Sequence, residues 1–313
     1  MTQLVALTGA SGFIGRTLAG RLIRDGWGLR ALVRRPDPDL ETRDIELVRG
    51  SLEDNASLER LVAGASAVVH CAGIIKARSQ GEFNAVNAKG TARIAAAARN
   101  SPSRPRVLFV SSLAARQPSV SAYAESKWRA EQELSKHAED LDYCVLRPPA
   151  VYGPGDRVTL PLFRQLVRGI ALVPLRDGAR FSLLYVNDLA DAVAHMLSRP
   201  RWGGSIFELD DRRPGGYSWP EIAEIAGRSL GRPIHRLPVP RAMLWFPALF
   251  NETVSRLVGR APTLTRGKLH ELYHPDWKCS SREAPLLNGW KPSTDFNGGV
   301  ALTVEWYRHQ GWL

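Results

Sequence analysis

Residues 8–15 read TGASGFIG, a glycine-rich stretch between an apolar run at 3–8 and a helical pattern at 13–25. Glycines at this spacing allow a tight turn from a strand into a helix. They also let the backbone approach a pyrophosphate, which the free N–H groups and the dipole of the helix attract. We therefore predict a dinucleotide-binding turn. Its predicted ligand contacts are Gly9, Ser11, Gly12, Phe13, Ile14 and Gly15.

Apolar and helical segments alternate over the first half of the chain. The apolar segments after the turn lie at 28–33, 45–48, 67–71, 106–112 and 143–147, and the helical segments lie at 56–63, 84–100 and 121–140. Nearly continuous apolar strands separated by helices indicate a parallel sheet that is covered on both faces. The predicted fold class is α/β, a doubly wound parallel sheet (Rossmann) whose ligands lie beyond the carboxyl ends of its strands.

The pattern loosens after residue 150, where Pro and Gly interrupt it. Helical segments follow near 158–169, 187–198, 218–230 and 299–311, and the apolar segments 181–186 and 205–209 are expected to return to the sheet. We predict a dinucleotide-binding domain of residues 1–150 plus about 181–208. A smaller, mainly C-terminal substrate-binding lobe would comprise about 151–180 and 209–313.

The chain is basic, with 42 Lys and Arg against 31 Asp and Glu, a net charge of +11. A basic surface favours anionic partners such as phosphorylated cofactors and acidic lipid headgroups. The basic residues are spread along the chain and form no DNA- or RNA-binding motif. We therefore predict no nucleic-acid partner.

The expected location is cytoplasmic. The first residues lack the charged and apolar regions of a signal peptide, and no stretch approaches the ~20 apolar residues of a membrane span. The three cysteines are too scattered for a disulfide framework or a zinc site. No metal is expected, because four histidines that we considered as ligands lack metal-binding spacing. They are His70, His195, His270 and His274.

The end of the second strand selects the dinucleotide. An Asp or Glu there would hold the ribose hydroxyls of NAD, but this chain has Arg34 and Arg35. A guanidinium pairs with a 2′-phosphate through two parallel hydrogen bonds, whereas a carboxylate repels it. We predict NADP(H) rather than NAD(H) as the cofactor, with Arg34 as the first choice for the contact and Arg35 as the second.

A serine, a tyrosine and a lysine suit carbonyl reduction. Ser112 closes the fifth strand, and Tyr123 and Lys127 follow it on a predicted helix, where residues four apart share a face. A carbonyl that accepts hydride develops negative charge on oxygen, to which a phenol can donate a hydrogen bond and then a proton. A neighbouring ammonium favours the phenolate form, and Ser112 would supply a second hydrogen bond.

Five motifs in this order resemble the extended short-chain dehydrogenase/reductases, including the NAD-dependent epimerase/dehydratase group. They are TGASGFIG, VNAKGT (86–91), VSS (110–112), YAESK (123–127) and RPPAVYGPGD (147–156). The resemblance implies that Tyr123 is the general acid/base and that Lys127 holds the ribose and activates the tyrosine. It further implies that Ser112 orients the substrate and that Asn87 braces the site.

The resemblance also implies further cofactor contacts. The motif HCAG (70–73) would line the nicotinamide-ribose side through Cys71, Ala72 and Gly73, and YVNDLADA (185–192) would pack beside the pocket. Tyr123, Lys127, Pro148 and Val151 complete the predicted set. Many relatives have an Asp after the third strand that reads adenine. Here Ser51 and Leu52 hold that place, so we expect the adenine contacts to come from the backbone there and from Leu52. Many nucleotide-sugar members carry Asn two residues after the Arg of the sixth strand, where this chain has Pro149, which weakens a sugar-nucleotide assignment.

Residues 237–260 leave two interpretations open. Aromatic and leucine residues between 244 and 250 are flanked by Arg236, Arg241, Arg256 and Arg260. One interpretation is a core helix interrupted at Pro247. The other is an interfacial helix that meets an anionic membrane, which would put the protein peripherally at the inner face of the membrane.

The resemblance extends to a branch with bacterial ceramide-pathway reductases and relatives of a complex I accessory subunit. We expect NADP(H)-dependent reduction of a ketone to a secondary alcohol, on a small molecule or an amphipathic lipid such as 3-oxosphinganine or 3-oxo-ceramide. The alternatives are a nucleotide-sugar epimerase/dehydratase and a non-catalytic, cofactor-binding assembly subunit. Dehydration is disfavoured because Leu113 and Ala114 follow Ser112 where dehydratases often carry an acid. The oligomeric state stays open, with a homodimer as one alternative.

Overall fold

The fold is described from a computed structural model, which covers residues 3–42, 44–176, 178–258, 261–262, 264–280 and 287–313. The strands are β1 Leu4–Thr8, β2 Gly28–Val33, β3 Ile45–Arg49, β4 Ala67–His70, β5 Arg106–Val110, β6 Tyr143–Arg147, β7 Ala150–Tyr152, β8 Ile170–Pro174, β9 Arg180–Phe181, β10 Leu183–Tyr185, β11 Ser205–Glu208, β12 His235–Val239 and β13 Asp276–Trp277. The helices are α1 Phe13–Arg24, α2 Asn55–Val62, α3 Gln80–Phe83, α4 Lys89–Asn100, α5 Ala122–Ser135, α6 Leu160–Val167, α7 Val186–Leu197, α8 Trp219–Ser229, α9 Arg241–Leu257, α10 Arg266–Leu272 and α11 Phe296–His309.

Seven strands form one sheet in the order β11-β6-β5-β4-β1-β2-β3. Strands β1 to β6 pair in parallel, and most of their apolar side chains are buried because helices cover the sheet. The order reverses direction at β1, which lies between β2 and β4. In doubly wound sheets the ligand binds beyond the carboxyl ends of the strands at this reversal. The predicted fold class is confirmed.

The chain divides into two compact units. The first consists of Met1–Arg147, Ala190–Phe207 and Glu283–Trp290. Its sheet packs on α2, α4 and α5 through a fully apolar core. Representative core residues are Leu58, Val68, Ile94, Val107 and Leu134. Because this core fixes the helices against the sheet, it also fixes the loops at the carboxyl ends of the strands.

The second unit consists of Pro148–Leu189, Glu208–Arg282 and Lys291–Leu313. Its main core lies between α6, α8 and α11 and is rich in aromatic side chains. Short parallel pairs of strands, β7 with β10, β8 with β12 and β9 with β13, accompany these helices. The limits predicted for the two domains stay a prediction.

One expectation about a single element is wrong. Segment 181–186 does not return to the seven-stranded sheet, because β10 pairs with β7 and β9 pairs with β13. The segment 84–100 is helical as predicted, and its first turn, Asn84–Ala88, is a π-helical turn that precedes α4. Segment 205–209 does join the sheet, through β11 beside β6.

Candidate active site

The glycine-rich turn joins β1 to α1 through close backbone packing. Gly9 has φ +79°, and a Cβ there would lie 2.7 Å from the backbone nitrogen of Ala72, in the loop after β4. A Cβ on Gly15 would overlap the carbonyl oxygen of Gly9. These positions therefore need glycine to hold the first turn of α1 against the ends of β1 and β4.

The start of α1 is open to an anion. Gly12 is the N-cap, so no side chain caps the helix, and its first turn contains no acidic residue. The N–H groups of a first turn lack partners within the helix, and together with the helix dipole they attract negative charge. Ser11, Phe13 and Ile14 lie in this turn region. The start of α1 therefore offers uncapped backbone N–H groups of the kind that attract an anion.

Arg34 and Arg35 lie directly beyond the end of β2, and both are exposed. Neither forms an ion pair with another residue that the structure describes. By contrast, Arg16 in α1 pairs with Asp37 at 2.8 Å and with Asp39 at 2.9 Å. The two guanidinium groups at the end of β2 are therefore available to a phosphate.

Ser51 and Leu52 follow β3, as the sequence predicts for the adenine side. The Ser51 hydroxyl accepts a hydrogen bond from the backbone nitrogen of Glu53 at 3.2 Å. The Leu52 side chain packs against α4, since a Cβ at Gly90 of that helix would come within 2.8 Å of Leu52 Cδ1. Ser51 and Leu52 themselves supply no carboxylate, and Asp54, two residues further on, accepts from the backbone nitrogen of Ser57 as the N-cap of α2.

Helix α5 carries Tyr123 and Lys127 one turn apart. Its N-cap Ser121 accepts a hydrogen bond from the backbone of Ala124 at 3.0 Å, which sets where the helix begins. The ring centroid of Tyr123 lies 6.2 Å from that of Phe83, and the tyrosine is only partly buried. The ring is therefore packed near Phe83, and the residue stays partly exposed.

The Lys127 ammonium is buried at the end of β5. Its Nζ donates to the carbonyl oxygen of Val110 at 3.0 Å and lies 4.5 Å from the ring centroid of Phe109. Burial lowers the pKa of Lys127 to about 8, and the negative charge of Glu131 opposes this shift. The group remains a cation at neutral pH and loses its proton more readily than an exposed lysine.

Asn87 lies in the π-helical turn and is buried. Its Oδ1 accepts from the backbone nitrogen of Ile74 at 2.8 Å, and its Nδ2 donates to the Ile74 carbonyl at 3.0 Å and to Ser126 Oγ at 2.9 Å. Ser126 lies between the tyrosine and the lysine on α5. Asn87 thus joins the loop after β4 to the helix that carries the predicted acid.

Ser112 is the N-cap of the 3₁₀ turn Leu113–Arg116, and its Oγ accepts from the backbone nitrogen of Ala114 at 3.2 Å. Beside it, Ser111 Oγ donates to Glu131 at 2.5 Å, and the same carboxylate pairs with Arg147 at 2.5 Å. The sequence did not predict this cluster. It ties the ends of β5 and β6 to α5, so it fixes the backbone that carries Ser112.

A second cluster that the sequence did not predict surrounds His70, the last residue of β4. His70 is fully buried and contacts Thr8 Oγ1 through Nδ1 at 2.7 Å and Thr91 Oγ1 through Nε2 at 3.0 Å. Thr91 donates to the Asn87 carbonyl at 2.7 Å, and the Ala72 nitrogen donates to Thr8 Oγ1 at 3.2 Å. The cluster spans the glycine-rich turn, the HCAG motif and the π-helical turn.

The remaining predicted positions differ in what surrounds them. Cys71 follows His70 and is a free thiol whose pKa burial raises to about 11. Gly73 faces Asn87, since a Cβ there would lie 3.1 Å from its Oδ1. Pro148 and Val151 belong to the second unit, and Val151 pairs with Leu184 between β7 and β10. Their predicted contact with the cofactor stays a prediction.

Helix α9 has two apolar faces. Ala248 is buried against Leu269 and Tyr273, so one face belongs to a core. On the other face Met243 is 66% exposed, Phe246 75% and Phe250 71%. The helix continues through Pro247, so the expected interruption is wrong. The side chain of Arg256 and all of Arg260 lie outside the described residues.

Among the described residues, no helix is both long enough and apolar enough to cross a bilayer.

Comparison with known proteins identifies the family. The model of the NAD dependent epimerase/dehydratase family matches residues 5–209. A protein named ceramide reductase from Caulobacter vibrioides is 38% identical over 312 residues, which are 99% of this chain and 96% of that protein. The end-to-end match means that the second unit is shared as well as the sheet.

Solved structures share the fold. A putative epimerase from Burkholderia cenocepacia J2315 superposes with a TM-score of 0.75 at 22% identity, covering 98% of both chains. UDP-glucose 4-epimerase from Thermus thermophilus, solved with NAD, gives 0.69 at 20% identity over 98% of this chain and 99% of that one. The chain therefore belongs to the NAD-dependent epimerase/dehydratase family and is an oxidoreductase of the extended short-chain dehydrogenase/reductase type.

Proposed function

We propose that this oxidoreductase uses NADPH to reduce a ketone to a secondary alcohol on an amphipathic lipid such as 3-oxosphinganine or 3-oxo-ceramide. One observation carries the proposal: the match to a protein named ceramide reductase extends from end to end, including the unit that follows the sheet. The buried Lys127, one helical turn after Tyr123, supports the redox chemistry. The exposed apolar face of α9 supports a lipid rather than a sugar.

The residues of α5 and the end of β5 would carry out the proton transfer. Tyr123 donates its phenolic proton to the carbonyl oxygen as that oxygen gains negative charge, and Ser112 donates a second hydrogen bond to it. The Lys127 ammonium stabilises the phenolate that remains. Asn87 holds α5 against the loop after β4 through Ser126. A bound dinucleotide would supply the hydride.

The first unit fits such a dinucleotide. The close packing at Gly9 and Gly15 and the uncapped start of α1 suit a pyrophosphate. Arg34 and Arg35 suit the 2′-phosphate that distinguishes NADPH from NADH, because both are exposed beyond β2. Arg34→Glu would place a carboxylate there instead. We expect this variant to lose most of its preference for NADPH in kcat/KM, whereas an unchanged preference would contradict the assignment.

The substrate is tested by NADPH oxidation at 340 nm in mixed micelles. We expect turnover with 3-oxosphinganine or 3-oxo-ceramide, with the alcohol product identified by mass spectrometry. UDP-glucose and small sugars serve as competing substrates in the same assay. An enzyme that ignores the ketolipids would contradict the proposal. Epimerisation of UDP-glucose with tightly retained NAD and no net oxidation would support a nucleotide-sugar epimerase instead.

We further propose that α9 contacts an anionic bilayer. Met243, Phe246, Phe250 and Val254 follow one another at spacings of three and four residues, so they share one face of the helix. Arg236 and Arg241 near the start of this helix are exposed. Apolar side chains could enter the acyl boundary while these cations remain among the phosphates. Such contact would deliver a membrane lipid to the enzyme.

Vesicle sedimentation tests this contact. We expect the protein to bind vesicles with 30% phosphatidylglycerol, less at high salt, and the double variant Phe246→Ser/Phe250→Ser to lose binding. Leu302→Ser, which alters an exposed apolar side chain on α11, is the control and should retain binding. A protein that does not bind anionic vesicles would contradict a membrane contact. A dimer that the double variant dissociates would also contradict it, and would show that this face of α9 binds a second copy of the chain.

A further inference from the structure

We propose that His70 is a positioning residue that, as a neutral imidazole between Thr8 and Thr91, holds the glycine-rich turn and the π-helical turn in register around the dinucleotide. This inference rests on the proposed function and deepens it. The sequence motifs assign His70 no role, and the proton transfer described above does not use it.

The directions of the hydrogen bonds fix the state of His70. The Thr91 hydroxyl donates its proton to the Asn87 carbonyl at 2.7 Å, so it can only accept from His70, whose Nε2 must carry hydrogen. Thr8 Oγ1 accepts from the Ala72 nitrogen at 3.2 Å and is free to donate to His70 Nδ1 at 2.7 Å. Every hydrogen bond from Ala72 through Thr8, His70 and Thr91 to Asn87 then has one donor and one acceptor.

A charged imidazole does not suit this arrangement. Protonation of Nδ1 would take away the acceptor for the Thr8 hydroxyl. Burial, assisted by the positive charge of Lys127, lowers the pKa of His70 to about 3, so the ring stays neutral over the working range. The ring also stacks on Phe109 with centroids 5.2 Å apart, and that phenylalanine lies under the Lys127 ammonium.

This series of hydrogen bonds, from Thr8 through His70 and Thr91 to Asn87, connects backbone segments that the ligand and the reaction both need. Thr8 immediately precedes Gly9 of the turn, and Ala72 lies in the loop that a Cβ at Gly9 would touch. At the other end, Asn87 binds the backbone of Ile74 and the hydroxyl of Ser126. His70 is the link between these two ends. A loss of this link should therefore change the positions of the loop after β4 and of α5 together.

The test compares two buried threonines that undergo the same chemical change. Thr91→Val removes a hydroxyl that donates to the carbonyl four residues earlier, at Asn87. Thr303→Val, in α11 of the second unit, removes a hydroxyl that donates to Gly299 four residues earlier, at 2.6 Å. Both threonines are fully buried, so both variants should lose some thermal stability.

The two variants should differ in function. We expect Thr91→Val to lower kcat and to weaken NADPH binding, each about tenfold, measured by turnover and by fluorescence titration well below the melting temperature. Thr91→Ser, which keeps the hydroxyl, should restore both, and Thr303→Val should change neither. In a His70→Phe background, Thr91→Val should cause no further loss of kcat or NADPH affinity, because the hydrogen bonds through His70 are already absent.

Two failures can be told apart. If Thr91→Val keeps the wild-type kcat and NADPH affinity while its melting temperature falls, His70 is only a core residue and the inference is wrong. Full losses from Thr303→Val would contradict it equally. If the wild-type enzyme reduces no ketone, the proposed function fails, but the NADPH titration of the same variants still decides the role of His70.

Discussion

At the scale of single residues, the proposed chemistry depends on the Tyr123 hydroxyl. Tyr123→Phe removes the proton donor and keeps the ring that packs near Phe83. We expect kcat to fall by about 10²–10⁴-fold while the Kd for NADPH changes little, because the phenol acts on the substrate oxygen. Tyr143→Phe, the same change in a buried position on β6, is the control and should keep its activity. Comparable turnover in the two variants would exclude Tyr123 as the acid.

The charge on Lys127 predicts the alkaline limit of activity. Its pKa is lowered to about 8, so the ammonium is present below that pH and is lost as the pH rises through it. We expect kcat/KM to fall above about pH 8. Burial lowers the pKa of Lys127, while Cys71 and Glu131 raise it. Glu131→Gln should therefore move the fall to lower pH. A profile that does not move would show that Lys127 does not set this limit.

At the scale of secondary-structure elements, α1 offers a matched pair of glycines. A Cβ at Gly15 would overlap the Gly9 carbonyl oxygen, whereas a Cβ at Gly20 meets only the end of the Arg24 side chain, at 3.5 Å. Gly15→Ala should displace the turn, abolish measurable NADPH binding and lower the melting temperature. Gly20→Ala should stabilise the helix by about 0.5–1 kcal/mol and leave binding intact. Thermal melts and NADPH titrations of both variants check this, and equal binding would contradict a ligand role for the turn.

Elements were predictable from sequence where one local pattern determined them. The central strands β1, β4, β5 and β6 are buried almost throughout, so they read as continuous apolar runs, and TGASGFIG carries its own backbone constraint. The π-helical turn was missed because it changes the hydrogen-bond register while apolar spacing stays helical. Leu183–Tyr185 was misassigned because an apolar triplet does not specify its partner strand.

The buried clusters around the site could not be predicted for a related reason. Thr8 lies 62 residues from His70 in sequence, and Thr91 lies 21 residues beyond it. Only the pairing of β1 with β4 and the packing of α4 bring them together. The same holds for Ser111, Glu131 and Arg147. Residue type and spacing therefore predicted which side chains could react. The buried hydrogen bonds that hold those side chains became visible only in the folded structure.

At the scale of the whole molecule, the net charge of +11 should assist capture of an anionic cofactor. The Debye length is about 10 Å at 0.1 M salt, so added salt screens this attraction. We expect kcat/KM for NADPH to fall about tenfold between low and high ionic strength, and more steeply than for NADH, which lacks the 2′-phosphate. Arg34→Gln should flatten the NADPH dependence towards that of NADH. Arg201→Gln removes the same charge from another exposed position and should leave the slope unchanged. If both variants flatten it equally, the attraction arises from total charge and not from a phosphate contact at the end of β2.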